Sequence, residues 1–144
     1  MSLRNEVYKF KSWASAYPVQ ERSGEWEDGY PHWSAFHKAA ITFLASSSPD
    51  KWVDEDVSDL LYAIARDNEG EYLAQEVALN IDALLKLSEL AIASPERDAK
   101  WQLAAQLGDL SRRKQEAEAL LLKLVDDHDE YVSRRALLSL GLLK

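Results

Sequence analysis

Residues 125–141 read VDDHDEYVSRRALLSLG, a stretch that joins a dense acidic cluster to a helical apolar pattern. Three aspartates, one histidine and one glutamate fill positions 126–130, and Val132, Ala136 and Leu140 then recur at helical spacing. The cluster has two interpretations. It is either a metal or acid/base site, or the first turn of a helix, where carboxylates are favoured by the positive end of the helix dipole.

A partial copy of this pattern precedes it by 59 residues, in RDNEGEYLAQEVALNID (66–82). The acid, tyrosine and apolar positions recur, but the histidine position is Glu69. A weaker third copy is centred on Trp101, where Ala105 occupies the small apolar position and Asp109 stands where the pattern has an apolar residue. Because the recurring parts are those that a turn between helices needs, we predict that the acidic cluster is a helix junction.

An acidic turn, a large apolar residue and a small one a turn later resemble the HEAT-like α-solenoid repeat, most closely in DEYVSRRALLSLG. The resemblance covers residues 67–143. In that family such turns link antiparallel helices, and the concave face binds partners that are usually proteins. The resemblance implies a short right-handed α-solenoid, a stack of antiparallel helix pairs with about seven or eight helices.

Apolar residues at helical spacing fill most of the remaining chain, and no alternating strand pattern is present, so the predicted fold class is all-α. We expect one domain over 1–144, in which 1–32 hold an N-terminal helix and an aromatic-acidic loop and 33–66 a divergent helix pair. Residues 67–143 would form the repeats. Helices are predicted over residues 3–16, after Pro31 and from Ser111, with a kink or break at Asn80–Asp82.

Composition limits the classes of function. The chain has no cysteine, which excludes disulfides and thiolate metal sites. Its first twenty residues show no signal peptide, and its apolar runs are too short for a membrane span. We therefore expect a soluble, cytoplasmic protein that uses neither a membrane nor a cofactor.

The net charge of −8 is concentrated between Asp50 and Asp82, a stretch that contains ten acidic and two basic residues. Nucleic acids are bound through Lys and Arg, so this stretch disfavours them as partners. A basic protein surface is a better match, and the alternative is a solvated face that only confers solubility.

The sequence indicates no catalytic or metal site. His32 and His37 are five residues apart, whereas a helical metal pair needs four, and the cluster at 126–130 lacks the glycine and distal glutamate of a calcium loop. No nucleophile elbow or glycine-rich phosphate loop occurs. The enzymatic alternatives are a metal-dependent hydrolase and a HEAT-like DNA glycosylase. The latter class uses Trp, Asp and Arg in a basic groove, to which Trp101 and Arg134-Arg135 would correspond.

Two segments are the candidates for partner binding: the loop EWEDGYPHW (25–33) and the acidic turn at 67–72. Aromatic residues are common interface anchors, and acids select basic partners. The competing interpretation of the loop is a strap that covers one edge of the helical stack. The predicted binding residues are Glu25, Trp26, Asp28, Tyr30, Asp67, Glu69, Glu71 and Tyr72.

Together these features predict a non-catalytic protein-binding module with an acidic face, such as a bacterial immunity or antitoxin-type inhibitor of a basic partner. A monomer is favoured if the outer face of the last helix is polar through Ser133, Arg134 and Ser139. A homodimer through that helix is the alternative.

Overall fold

Eight α-helices make up the computed structural model, which describes residues 2–143. They are α1 (Leu3–Ala16), α2 (Trp33–Ser46), α3 (Asp54–Arg66), α4 (Tyr72–Ala78), α5 (Ile81–Ala91), α6 (Arg97–Gly108), α7 (Lys114–Val125) and α8 (Glu130–Leu143). Short 3-10 turns cover Val19–Glu21, Trp26–Gly29 and Pro49–Lys51. No strand occurs within residues 2–143, so the all-α prediction is confirmed.

Side-chain caps explain where two of the helices begin. The Ser2 hydroxyl accepts a hydrogen bond from the backbone N–H of Asn5 and starts α1. The predicted break near residue 80 is confirmed, because the Asn80 side chain accepts from the backbone of Asp82 and Ala83 and starts α5 as a separate helix. The predicted start at Ser111 is wrong. Helix α7 begins at Lys114, after Arg113 has turned the chain with a φ of +54°.

The helices pack in two series of neighbours. Helices α1, α3, α6 and α8 contact one another in that order, and α2, α4, α5 and α7 do the same beside them. The C-terminal end of α3 meets the N-terminal half of α6, where the Gln102 amide donates to the Ile64 carbonyl at 2.8 Å. This side of the molecule therefore brings together the end of α3 and the start of α6.

One continuous apolar core runs through all eight helices. At its N-terminal end the Phe10 ring is fully buried, and its centroid lies 4.7–6.4 Å from those of six other aromatic rings. These rings belong to Trp13, Trp26, Tyr30, Trp33, Phe36 and Tyr62. Aromatic burial on this scale stabilises the end of the stack and holds the loop that follows α1 against it.

The outer face of α8 differs from the polar face that was predicted. Ser139 is buried against Gly108 of α6, and the Ser133 hydroxyl donates to the Val125 carbonyl. Exposed positions of α8 include Arg134 but also three leucines: Leu137, Leu138 and Leu142. The polar-face prediction is wrong because packing on α6 uses the side of the helix that carries Ser139.

Gly108 permits the close approach of α6 and α8. A Cβ atom at this position would lie 2.7 Å from the Cβ of Ser139 and 3.0 Å from its Cα, closer than van der Waals contact allows. Gly141, on the exposed side of α8, has no atom within 4 Å of an added Cβ.

Gly108→Ala should therefore destabilise the protein by about 1–3 kcal/mol, because the two helices must move apart. Gly141→Ala is the matched control, and it should stabilise the protein by about 0.5–1 kcal/mol since alanine is the better helix former. Urea denaturation followed by circular dichroism measures both. Equal effects of the two substitutions would contradict this account of the α6–α8 contact.

Candidate functional site

The loop at 17–31 is a strap over the N-terminal end of the stack, as one of the two interpretations predicted. The Trp26 ring stacks on Trp13 with a centroid distance of 5.8 Å and an interplanar angle of 7°. Tyr30 is only 4% exposed, and its ring centroid lies 4.7 Å from that of Phe10. Both aromatic side chains therefore hold the loop to the core.

Arg22 fastens the same loop to the end of α1. Its guanidinium donates to the carbonyl oxygens of Ala14 and Tyr17, and it lies 4.6 Å from the centroid of the Trp26 ring. The last carbonyls of a helix lack intrahelical donors and carry partial negative charge, so a cation is favoured there. Arg22 thus satisfies backbone groups and covers a tryptophan at the same time.

The loop also contacts the turn between α3 and α4. The Asn68 amide donates to Glu27 Oε2 at 3.2 Å and to the Ala65 carbonyl at 3.1 Å. This bond joins residues 41 positions apart, and it places the two predicted binding segments side by side. Their proximity is a result of tertiary structure, because nothing in the local sequence couples them.

Asp67 organises the start of α4 from inside the protein. One carboxylate oxygen accepts from the backbone N–H of Leu73 at 2.9 Å, and the other lies 3.0 Å from His37 Nε2. The His37 ring in turn lies 5.6 Å from that of Tyr72. Asp67 is 7% exposed, so it acts within the fold.

The structure divides the predicted binding residues into three groups by exposure. Tyr30 and Asp67 are buried, and the prediction that they contact a partner directly is wrong, because both side chains are used to hold loops in place. Trp26 and Glu71 are half-buried. The exposed residues are Glu25, Asp28, Glu69 and Tyr72.

Ion pairs connect the end of α3 with α6, and α6 with the segment that precedes α8. Arg66 pairs with Glu96 at 2.7 Å, and Arg97 pairs with Asp129 at 2.7 Å. Lys100, which is almost fully buried, donates to Asp127 at 2.7 Å. These pairs link the end of α3 to the start of α6, and the first turn of α6 to the α7–α8 junction.

We define the acidic edge as residues 22–30, 66–71, 96–101 and 126–135. These four segments carry twelve acids and six bases, a net −6 of the chain's −8. The acids between Asp50 and Asp82 are spread along helix α3. Asp54 begins that helix and Asp67 follows it, about 20 Å further along at the rise of an α-helix.

The acidic cluster at 126–130 serves as the junction between α7 and α8. Asp129 accepts hydrogen bonds from the backbone N–H groups of Tyr131 and Val132, and Asp127 accepts from that of Asp129. His128 is 95% exposed. Among residues 2–143 no group of three or more acidic or histidine side chains is arranged to hold a metal ion.

The hydrogen bonds at this junction lower the pKa values of Asp127 and Asp129. Burial raises the pKa of Asp127, but the Lys100 ammonium and the Asp129 amide outweigh it, and the net pKa is lowered. The Arg97 guanidinium is the main cause of the lowered pKa of Asp129. Both carboxylates therefore stabilise the folded state above the unfolded-state pKa, and this stabilisation is lost as the pH falls through the folded-state pKa.

A cleft of about 450 Å³ lies in the middle of the acidic edge. We call it the aromatic cleft; it is lined by Arg22, Gly24, Trp26, Glu27, Asn68, Arg97, Asp98, Trp101 and Tyr131. The Trp101 and Tyr131 rings meet edge to face at 5.6 Å. Trp101 Nε1 donates to Asp98 at 2.8 Å, which fixes the indole.

Glu27 is the buried acid of this cleft. It is 7% exposed, and its Oε1 has no hydrogen-bond partner although Oε2 accepts from Asn68. Burial raises the pKa of Glu27 above its ordinary value, against the lowering effect of its own backbone N–H and of Asn68. A buried acceptor without a donor is unfavourable unless a ligand or water supplies one.

Of the predicted binding residues, Trp26 alone lines the cleft. Glu27 lies inside the loop at 25–33, but nothing in the neighbouring residues of the sequence indicates that it is buried. Asp98 and Trp101 are three positions apart on one helix face, a spacing that does predict their contact. Comparison of this chain with family models, curated proteins and solved structures finds no match.

Asp127→Ala should destabilise the protein by about 3–5 kcal/mol, because it leaves the Lys100 ammonium buried without its carboxylate. Asp126→Ala removes a neighbouring but exposed acid and should cost less than about 0.5 kcal/mol. Chemical denaturation at pH 7 measures both. Similar losses in the two variants would show that Lys100 gains little from Asp127.

Proposed function

We propose that this chain is a non-catalytic protein-binding module whose acidic edge binds a partner with a basic surface. The observation that carries the proposal is the bond between Asn68 and Glu27. It joins the loop at 25–33 to the acidic turn, and the exposed Glu25, Asp28 and Glu69 each lie within two residues of one of its two partners. Acids gathered on one surface attract and orient a basic partner more strongly than the same acids dispersed.

The internal contacts of this edge support a binding role. Aromatic stacking and ion pairs hold the four segments, so little ordering is required when a partner docks. The charge of the edge disfavours a DNA glycosylase role, since phosphates would face twice as many acids as bases. Within residues 2–143 no helix combines the length and apolarity required to cross a membrane.

An immunity or antitoxin-type inhibitor is the biological role that we propose. Enzymes that cleave nucleic acids need basic surfaces to bind phosphate, and a rigid acidic surface can occupy such a site in place of the substrate. The proposed mechanism is therefore obstruction of a basic site by docked carboxylates.

The direct test is a charge reversal on the acidic edge. The partner is first identified by affinity capture from the native host and then purified. The triple variant Glu25→Lys, Asp28→Lys, Glu69→Lys should weaken its binding at least about tenfold at low salt, through the association rate. Isothermal titration calorimetry and stopped-flow mixing measure both quantities.

The matched control reverses three exposed acids outside the acidic edge: Glu89→Lys, Asp109→Lys and Glu118→Lys. Its net charge changes by the same amount, so it separates local from overall electrostatics. Binding that is unaffected by salt, or weakened equally in both variants, would refute the acidic-edge proposal.

We propose that the module is a monomer; the exposed Leu137, Leu138 and Leu142 of α8, which replace the predicted polar face, make a homodimer through this helix the specific alternative. Light scattering should give a mass near 16.3 kDa. Twice that mass, returning to the monomer value after Leu138→Glu, would instead establish a dimer through α8.

A further inference from the structure

We propose that the partner of the acidic edge carries a proline-rich segment flanked by a basic residue, and that this segment docks in a groove between α1 and residues 30–32. We call this groove the proline groove. The inference rests on the proposed function and names the part of the partner that is recognised. Three features support it: aromatic walls, a lining that suits an uncharged group, and an exposed carboxylate in the adjoining loop.

The walls of the proline groove are mainly aromatic. The groove has a volume of about 320 Å³, and the rings of Tyr8, Trp13, Tyr30 and Pro31 line it. Tyr8 is 72% exposed, so its ring is available to a docked chain. Tyr30 is buried and packs edge to face against Trp13 with a centroid distance of 5.4 Å, which holds these two walls in place.

The charges of the groove favour a neutral occupant. Among the described lining residues none is acidic, and Lys9 is the only lysine or arginine. The Lys9 ammonium lies 3.2 Å from Glu6 Oε2, so its charge is compensated within α1. A cationic side chain would find no carboxylate in this lining, and an anionic one would meet a lysine that is already paired. The groove therefore suits an uncharged apolar group.

A proline-rich segment fits these walls better than an amphipathic helix does. Proline segments dock in aromatic-lined grooves, and they lose little entropy because the polyproline II chain is extended before it binds. Such a chain has no internal hydrogen bonds, so its carbonyls can accept from the binding surface. The Ser12 hydroxyl and the Trp13 indole N–H are donors in the lining. The carbonyls of a helix are mostly bonded within the helix and would leave these donors unused.

Asp28 provides the charge complementarity that connects the groove with the acidic edge. This residue is exposed and precedes Gly29, where an added Cβ would lie 3.7 Å from the Trp13 ring. The loop backbone next to Asp28 therefore lies against a wall of the groove. A basic residue that flanks the proline segment would be attracted to this carboxylate.

The probe is the peptide acetyl-Pro-Pro-Pro-Pro-Arg-amide, titrated at low salt into the full-length ¹⁵N-labelled protein. The indole N–H signal of Trp13 should shift with saturation. Acetyl-Ala-Ala-Ala-Ala-Arg-amide keeps the charge but lacks proline, and it should bind at least about fivefold more weakly. Equal binding of the two peptides, or tighter binding of acetyl-Ala-Leu-Leu-Ala-Arg-amide, would overturn the inference.

Tyr8→Ala should lower the affinity for the proline peptide at least about fivefold, because one aromatic wall is lost. Tyr8→Phe is the matched control, since it keeps the ring and should change the affinity less than about twofold. Tyr8 is exposed, so both variants should fold, which circular dichroism verifies. The same affinity in wild type and Tyr8→Ala would contradict docking in this groove.

Asp28→Asn tests the flanking basic residue. It should weaken binding of the arginine peptide about two- to fivefold at low salt, because an exposed ion pair is lost. Acetyl-Pro-Pro-Pro-Pro-Gln-amide carries no charge, and wild type and Asp28→Asn should bind it equally. Equal losses for both peptides, or no loss for either, would overturn the inference that a basic residue flanks the segment.

Failure of this inference is distinguishable from failure of the proposed function. With the purified partner, Tyr8→Ala should raise the dissociation rate and leave the association rate unchanged, whereas the acidic-edge reversals act on association. If the reversals weaken partner binding and Tyr8→Ala does not, only the proline groove is refuted. If partner binding ignores both salt and charge reversal, the acidic-edge proposal is refuted, whereas the peptide titration still reports on the groove.

Discussion

The burial of helix α6 is the constraint on which the rest of the structure depends. This helix contacts α3, α4, α5, α7 and α8, and two of its polar side chains, Lys100 and Gln102, lie inside the protein. A buried ammonium or amide must find partners. Asp127 at the α7–α8 junction accepts from the Lys100 ammonium, and the Ile64 carbonyl at the end of α3 accepts from the Gln102 amide N–H, so α6 is tied to both elements.

The same requirement gathers the junctions on one side of the molecule. The start of α6 lies beside the end of α3 and beside the start of α8, and pairs such as Arg97–Asp129 join them. Helix starts favour acidic residues, so junctions that meet there concentrate negative charge. The acidic edge is thus a consequence of how the helices are arranged, and the proposed binding function makes use of it.

The sequence predicted the fold class, the end of α1, the break before α5 and the junction role of residues 126–130. It was less informative about the candidate site. Tyr30 and Asp67 are of types that bind partners, but their burial depends on what packs over them. Glu27 was hidden for the same reason, because its environment is created by Asn68, 41 residues away. Sequence likewise could not show that Ser139 faces Gly108 rather than solvent.

Local physical chemistry, readable in the sequence, determined the helical nature of the chain, because apolar periodicity and capping act within a few residues. Its excess of acids over bases is equally a property of composition. Only the tertiary structure decided which acids share a surface and which carboxylate is buried. The physical reason is that burial, ion pairing and electrostatic potential depend on distances between residues that are remote along the chain, and packing alone sets those distances.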